Sequence, residues 1–299
     1  MSMKSNCPLC DTEVSDQVDY LKNMSLSGKF FRYLPNFFGK LMWFSNLKNR
    51  FVHGKKMISI FGSHAWHYCE YCNFSYVYPQ ISPEKLDDYY SVDFWSIRGP
   101  SELKEFIFSE NNTDRPKYQL NFLNNHGLTK VESMLDFGAG LCGAPAIFKQ
   151  QGFCDDITIL DPSSQAKIIA DILDVDQVSS IEDAGAKQFD FLYSSHSLEH
   201  VQDLRETLDE FSAIVKEGGH VFIEVPNIAN RTVMEMSHHA PHTYNFSQKS
   251  LCNAMSLCGF EVVECDAYGV MVGERIKKHH KELDVPDCII SLFRKKSSV

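Results

Sequence analysis

The chain has 299 residues, 43% of them apolar and 23% charged, with a net charge of −10. This is ordinary globular composition with room for one large domain and a small module, and it excludes disordered and fibrous classes. No run reaches the roughly 18 apolar residues of a membrane span, the N-terminus lacks the apolar core of an export signal, and the acidic balance argues against a nucleic-acid partner. Ten cysteines then point to reduced thiols or metal ligands in a cytoplasmic protein.

The first elements are two CxxC knuckles, Cys7-Pro-Leu-Cys10 and Cys69-Glu-Tyr-Cys72. Each places two thiolates on one tight turn, and two such turns close a four-sulfur structural zinc shell with no open position. The 58 residues between them exceed common ribbon spacings of about 15–20, so a segment is inserted there. A redox CxxC is the alternative, but neither knuckle sits at a strand-to-helix junction of a βαβ unit. His64 and His67 are possible substitute ligands.

The insert, about 21–60, is basic and aromatic. From Leu21 to Tyr68 there are eight Lys or Arg and no acid, leaving 21 basic against 39 acidic side chains elsewhere. Phe30, Leu34, Phe37, Leu41 and Phe44 would form an apolar helical stripe, broken or restarted at Pro35. Such a segment suits a lid or dimer contact on the acidic body, or an anionic membrane surface, where each basic residue adds roughly 1 kcal/mol. The stretch Gln80–Trp95 reads as a connector, and a helical pattern leads on to Gly127. The expected organisation is a cysteine module over 1–80, a connector and lead-in over 81–130, and a main domain over 131–299.

Ser133–Phe137 reads as a short buried strand running into Gly138-Ala139-Gly140-Leu141-Cys142-Gly143 and a helix from Ala144 to Gln151. Glycines at that turn let a ligand approach the backbone, and the helix N-terminus favours a carboxylate or phosphate. The strand Ile157–Leu160 ends in Asp161, placed to accept ribose hydroxyls. Dinucleotides and S-adenosylmethionine (SAM) both suit this geometry. Asp136, two residues before the first glycine, would repel a pyrophosphate and attract the ammonium and sulfonium of SAM. Phe189–Val201 reads as a further strand and its loop, and another strand is expected at His220–Val225. Two late ones, Gly259–Glu264 and Asp287–Phe293, suggest an antiparallel hairpin closing the sheet.

Taken in order, LDFGAG (135–140), LDPS (160–163), FDFLYSSHSLEHV (189–201) and KEGGHVFIEVPN (216–227) resemble the motifs of class I SAM-dependent methyltransferases. The cysteine knuckles followed by SPEKLDDYY (82–90) look like a module that accompanies such enzymes in bacterial glycan and small-molecule pathways. The resemblance implies an α/β, Rossmann-like seven-stranded sheet with helices on both faces, carrying the cofactor over the carboxyl ends of its strands. It implies cofactor contacts at Asp136, Gly138, Ala139 and Gly140 for the methionine moiety, and Asp161 for the ribose. Pro162 and Ser163 would border the adenosine, Ile181 the adenine, and Ser195 the same cleft. Cys142 departs from the family pattern, standing where a third glycine is usual.

The expected activity is methyl transfer from SAM to a small-molecule acceptor, a sugar, nucleotide-sugar or glycan precursor. A non-catalytic binding protein of the same fold and a NAD-dependent oxidoreductase are the alternatives. A hydroxyl or carbon acid needs a base, and histidine is the common choice. His242, in a segment whose tail resembles the acceptor-facing histidine-to-Phe-Ser stretch of related sugar methyltransferases, is the first candidate. His200 is the second, and Tyr244 would offer a positioning hydroxyl. A Glu often precedes the histidine in those relatives; here Pro241 stands there, which puts a Glu-assisted mechanism in doubt.

Overall fold

A computed structural model describes residues 4–15, 17–19, 64–88, 100–236, 242–269 and 285–297, with 271–272, 275–276 and 278–280. The insert over 21–60, together with His238, His239 and Pro241, lies outside the described residues.

The N-terminal strands are short. β1 (Ser5–Asn6) and β2 (Glu13–Val14) pair antiparallel around the Cys7–Cys10 turn. β3 (Gln17–Asp19), β4 (Ala65–Cys69) and β5 (Phe74–Tyr78) form an antiparallel sheet, with Cys72 in the turn between β4 and β5. The connector contains a helix, Pro83–Asp88. Proline suits the first helical position, and the Leu86 side chain is buried, which anchors an otherwise charged turn. Two helices, Pro100–Ile107 and Glu110–Asn125, make up the helical lead-in.

The main sheet then starts at β6 (Ser133–Phe137), β7 (Asp156–Leu160), β8 (Asp176–Val178), β9 (Phe189–Ser195) and β10 (Val215–Pro226). These are parallel to one another, in the order β10-β9-β6-β7-β8. Their apolar runs are buried on both faces, as parallel strands covered by helices must be. Side chains alternate between the faces: Leu192, Val221 and Ile223 enter one core, and Phe191, Tyr193 and Phe222 the other. Ser163, Asp203 and Ser247 cap the helices Ser164–Leu173, Leu204–Ile214 and Gln248–Leu257 by accepting backbone N–H bonds.

β11 (Tyr244–Asn245) leaves this sheet and pairs with β5, so the small sheet runs β11-β5-β4-β3. β12 (Phe260–Tyr268) follows, then the short pairs β13 (Met271–Val272) with β14 (Arg275–Ile276) and β15 (Lys278–His280) with β16 (Val285–Pro286). The last strand, β17 (Cys288–Lys295), inserts antiparallel between β10 and β12. The two late strands therefore pair as expected, and the complete order is β12-β17-β10-β9-β6-β7-β8.

The described residues of the cysteine module share their core with the main domain. Cys7, Cys69, Cys72, Phe74 and Tyr76 are continuous with the cluster that holds Leu192, Val221 and Phe246. Phe74 stacks on Tyr244 at 5.8 Å between ring centroids and meets Phe246 at 5.4 Å. Among the described residues no helix is long and apolar enough to cross a membrane.

Candidate active site

The turn after β6 is left-handed in three places, at Gly138, Gly140 and Cys142. At Gly138, with φ +72°, a β-carbon would collide with the Ser197 side chain, whose hydroxyl donates to the Gly138 carbonyl at 3.0 Å. Glycine is required there by both conformation and space. Cys142 holds the left-handed conformation at φ 52° just before the helix Gly143–Gln150, so the departure from glycine is accommodated at a strained position. The turn is closed from below by Asp161, whose Oδ2 accepts from Gly140 N at 3.0 Å and whose Oδ1 accepts from Ser163 N at 2.9 Å. In this arrangement Asp161 caps the turn, and it presents only its remaining lone pairs to a ribose.

Asp136 is buried, and burial followed by repulsion from Asp161 raises its carboxyl well above the usual range. A carboxylate so placed is stabilised in its charged form by a cation brought to it. The donor set thus fits the ammonium and sulfonium of SAM and opposes a pyrophosphate. Ser163 is buried beneath the turn and Pro162 exposed beside it. Ile181 is half-buried at the start of a short turn of helix over Glu182–Ala184. Ser195 ends β9, where its hydroxyl accepts from Gln119 Nε2 at 3.1 Å.

Beyond Ser195 the chain turns through His196, itself left-handed at φ 53°, to His200. Both histidine candidates meet here. The rings of His200 and His242 are edge to face with centroids 4.8 Å apart. Glu199 lies with them, one donor atom from each of the three falling within 4.8 Å of the others. The His242 segment is held there by the residue that follows it. Thr243 N donates to the Glu199 carbonyl at 2.8 Å, and the Thr243 hydroxyl lies 2.6 Å from the Val201 carbonyl.

Tyr244 is placed differently from the positioning hydroxyl expected of it. Its side chain is buried, and its OH donates to the Gln202 carbonyl at 2.7 Å and accepts from Leu204 N at 3.3 Å. Its ring stacks on Phe74, so the side chain is committed to the packing between β11 and β5.

Sequence reasoning missed a row of buried polar groups behind the histidines. His196 Nδ1 and Nε2 lie 3.2 Å from Glu199 Oε1 and Glu224 Oε1. Although burial alone would lower its pKa, contacts with Cys288, Glu199 and Glu224 hold the His196 imidazole well above its ordinary value. Burial would likewise raise Glu199, yet His200, His196 and His242 pull it down to about 2. Glu224 is lowered by His196, Arg115 and Gln119 against its own burial. Gln119 Nε2 donates to Glu224 Oε2, and Tyr193 OH donates to Gln119 Oε1 at 2.6 Å. One signal was available: Glu224 is the only charged residue in the run Val221–Val225, and an acid in an otherwise buried strand needs partners.

In the module, the sulfurs of Cys7, Cys10, Cys69 and Cys72 lie within 4.8 Å of one another, Cys10 and Cys69 at 3.7 Å. Zinc–sulfur bonds of about 2.3 Å in a tetrahedron set sulfurs about 3.8 Å apart, so the four thiols fit such an ion. None is in a disulfide. His64 and His67 are placed elsewhere: His64 Nδ1 donates to the Pro79 carbonyl at 2.6 Å, and His67 Nδ1 bonds Ser5 Oγ at 2.6 Å.

A family described as "Methyltransferase domain" matches residues 101–265. A provisionally assigned sarcosine dimethylglycine methyltransferase from Galdieria sulphuraria is 14% identical, covers 62% of this chain and 87% of its own, and superposes with a TM-score of 0.50. The Haloferax volcanii complex of the Trm112 methyltransferase activator and its provisionally assigned methyltransferase gives 15% identity, 68% and 100% coverage and a TM-score of 0.47. N-methyltransferase NodS from Bradyrhizobium japonicum WM9, in complex with S-adenosyl-L-homocysteine, gives 13%, 66% and 98%, and 0.45. No curated protein matches the sequence significantly.

Proposed function

From the premise that this chain belongs to the SAM-dependent methyltransferases, we propose that it methylates a hydroxyl or carbon acid of a small-molecule acceptor, a sugar, nucleotide-sugar or glycan precursor. The dinucleotide alternative falls with that membership. One observation carries the acceptor chemistry: His200 and His242 meet on a buried carboxylate, at the end of a loop whose Ser197 touches the Gly138 turn. A proton-accepting pair beside the methyl-donor cleft suits an acceptor that must lose a proton.

When bound, SAM supplies an electrophilic methyl group for in-line displacement, so the protein's work is placement and proton removal. The backbone of Gly138, Ala139 and Gly140 would receive the methionine moiety, with Asp136 facing its ammonium. Asp161, Pro162, Ser163, Ile181 and Ser195 would line the rest of the cofactor. His242 would take the acceptor proton, with His200 at its edge as the second candidate.

The zinc reading belongs to the same proposal. Cys7, Cys10, Cys69 and Cys72 would hold one structural ion, supported by their mutual distances and the absence of a disulfide among them.

An acceptor screen over free sugars, nucleotide-sugars and lipid-linked glycans, read by S-adenosylhomocysteine release, tests the substrate class. With an acceptor in hand, His242→Ala should lower turnover by about 10²-fold or more and leave SAM affinity nearly unchanged. Wild-type turnover in that variant would remove His242 from the chemistry.

A further inference from the structure

The residue before the histidine, expected to be an acid in related enzymes, is Pro241 here. A carboxylate nevertheless reaches the site, from a different segment. Glu199 stands 43 positions earlier in the chain, in the loop after β9, and its side chain is 1% exposed. Its Oε1 faces His196 Nδ1 at 3.2 Å and His200 Nε2 at 3.8 Å. Its Oε2 is buried and has no hydrogen-bond partner among the described residues. An ionised carboxylate has about four acceptor positions, so one left unused inside a protein is costly.

We infer that Glu199 is the positioning residue for the base: its carboxylate orients the His242 ring and stabilises the imidazolium formed when His242 takes the acceptor proton. The inference rests on His242 as the base. A nitrogen of His242 lies within 4.8 Å of a Glu199 carboxylate oxygen, and the inferred bond between them would shorten to hydrogen-bonding distance when the acceptor binds. Such bonds are often long before the substrate arrives.

The rest of the network explains how Glu199 stays charged and in place. From the helix Glu110–Asn125, Arg115 lies 3.6 Å from Glu224 on β10. Glu224 faces His196, and His196 faces Glu199, with Cys288 of β17 at 3.8 Å from His196 Nε2. Charges alternate along that row, so Glu199 is the acid end of a chain whose other members are balanced. Among the described residues, His200 and His242 are the further titratable groups that act on it. The main chain completes the arrangement. The Glu199 carbonyl accepts from Thr243 N, the residue adjoining His242, so the two backbones that carry the carboxylate and the ring are tied together.

The test is the pH profile of turnover at saturating SAM for the wild type, Glu199→Gln, Glu199→Asp and His242→Ala. A nearby carboxylate favours the protonated ring and so raises its pKa; removing the charge lowers that pKa. In Glu199→Gln the acidic limb should therefore move down by about one pH unit, and the plateau should fall roughly 10–100-fold, with SAM affinity within about threefold. Glu199→Asp should return the limb to its wild-type position and recover part of the turnover. An unmoved limb in Glu199→Gln, with His242→Ala inactive, would overturn the positioning role and spare the base. Wild-type turnover in His242→Ala would overturn the base, and this inference with it. If Glu199→Gln does not fold, Glu199→Asp decides: a several-fold loss of turnover with the limb in place is expected, and full turnover would overturn the inference.

Discussion

The seven-stranded sheet and the small sheet of the cysteine module reach order by different routes. In the large sheet, β6, β9 and β10 are covered on both faces, and Phe191, Leu192, Phe222 and Ile223 are wholly buried. Their stability comes from apolar area removed from water. In the small sheet the strands are two to five residues long, and its buried positions include His67 and Ser75 beside Phe74 and Tyr76. Strands of that size do not stand alone. They are pinned by the cysteine turns at one end and by β11 of the catalytic domain at the other. What this teaches concerns the site: β11 begins two residues after His242, so the module with little core of its own is the brace that holds the candidate base.

The two regions should therefore fail differently. The largest effect is expected from Phe222→Ala, which opens a cavity where Phe222 stacks on Tyr193 at 5.1 Å. It should cost about 3–5 kcal/mol in denaturant unfolding and lower SAM binding and turnover together. Cys69→Ser should instead separate the two. Metal analysis should fall from about one zinc per chain to none, and turnover should drop by about 10²-fold as β5 releases β11. SAM affinity should stay within about threefold, because Asp136 and the Gly138 turn lie in the other region. Equal loss of SAM binding in both variants would erase the distinction. Within the large region, Asp136→Asn should weaken SAM about tenfold by titration calorimetry, about 1.4 kcal/mol, with the melting temperature nearly unchanged. Unaltered affinity would mean that this carboxylate does not face the cofactor's cation.

Much of the large sheet was legible because its strands are continuous apolar runs. Ser133–Phe137 was expected over the same residues in which it forms, β7 and β10 differ from expectation by extension at their ends, and β9 takes the first part of the stretch Phe189–Val201 read as a strand and its loop. The connector helix Pro83–Asp88 was missed because six mostly charged residues with a single buried Leu86 have no visible period. The polar row was partly in view: Glu199 stood beside His200 in the quoted motif, and the histidine drew the attention. Tyr244 was misread because proximity to His242 along the chain suggested proximity to the acceptor. Pairing of β11 with β5 instead turns the Tyr244 ring onto Phe74 and its hydroxyl onto the backbone at Gln202 and Leu204, contacts between segments far apart in the chain.

The sequence by itself determined the main strands β6, β7, β9 and β10, the glycine turn, the acids in β6 and just after β7, and the two cysteine knuckles. Those features rest on local rules: hydrophobic period, the conformational freedom of glycine, and the spacing of ligands on a turn. Only the tertiary structure decided that 244–245 completes the small sheet and that Tyr244 is committed to the backbone at Gln202 and Leu204. It alone brought His200, His242 and Glu199 together across more than 40 residues of chain. Those outcomes depend on long-range pairing and on where buried charges find partners, and neither is written in any one stretch of residues.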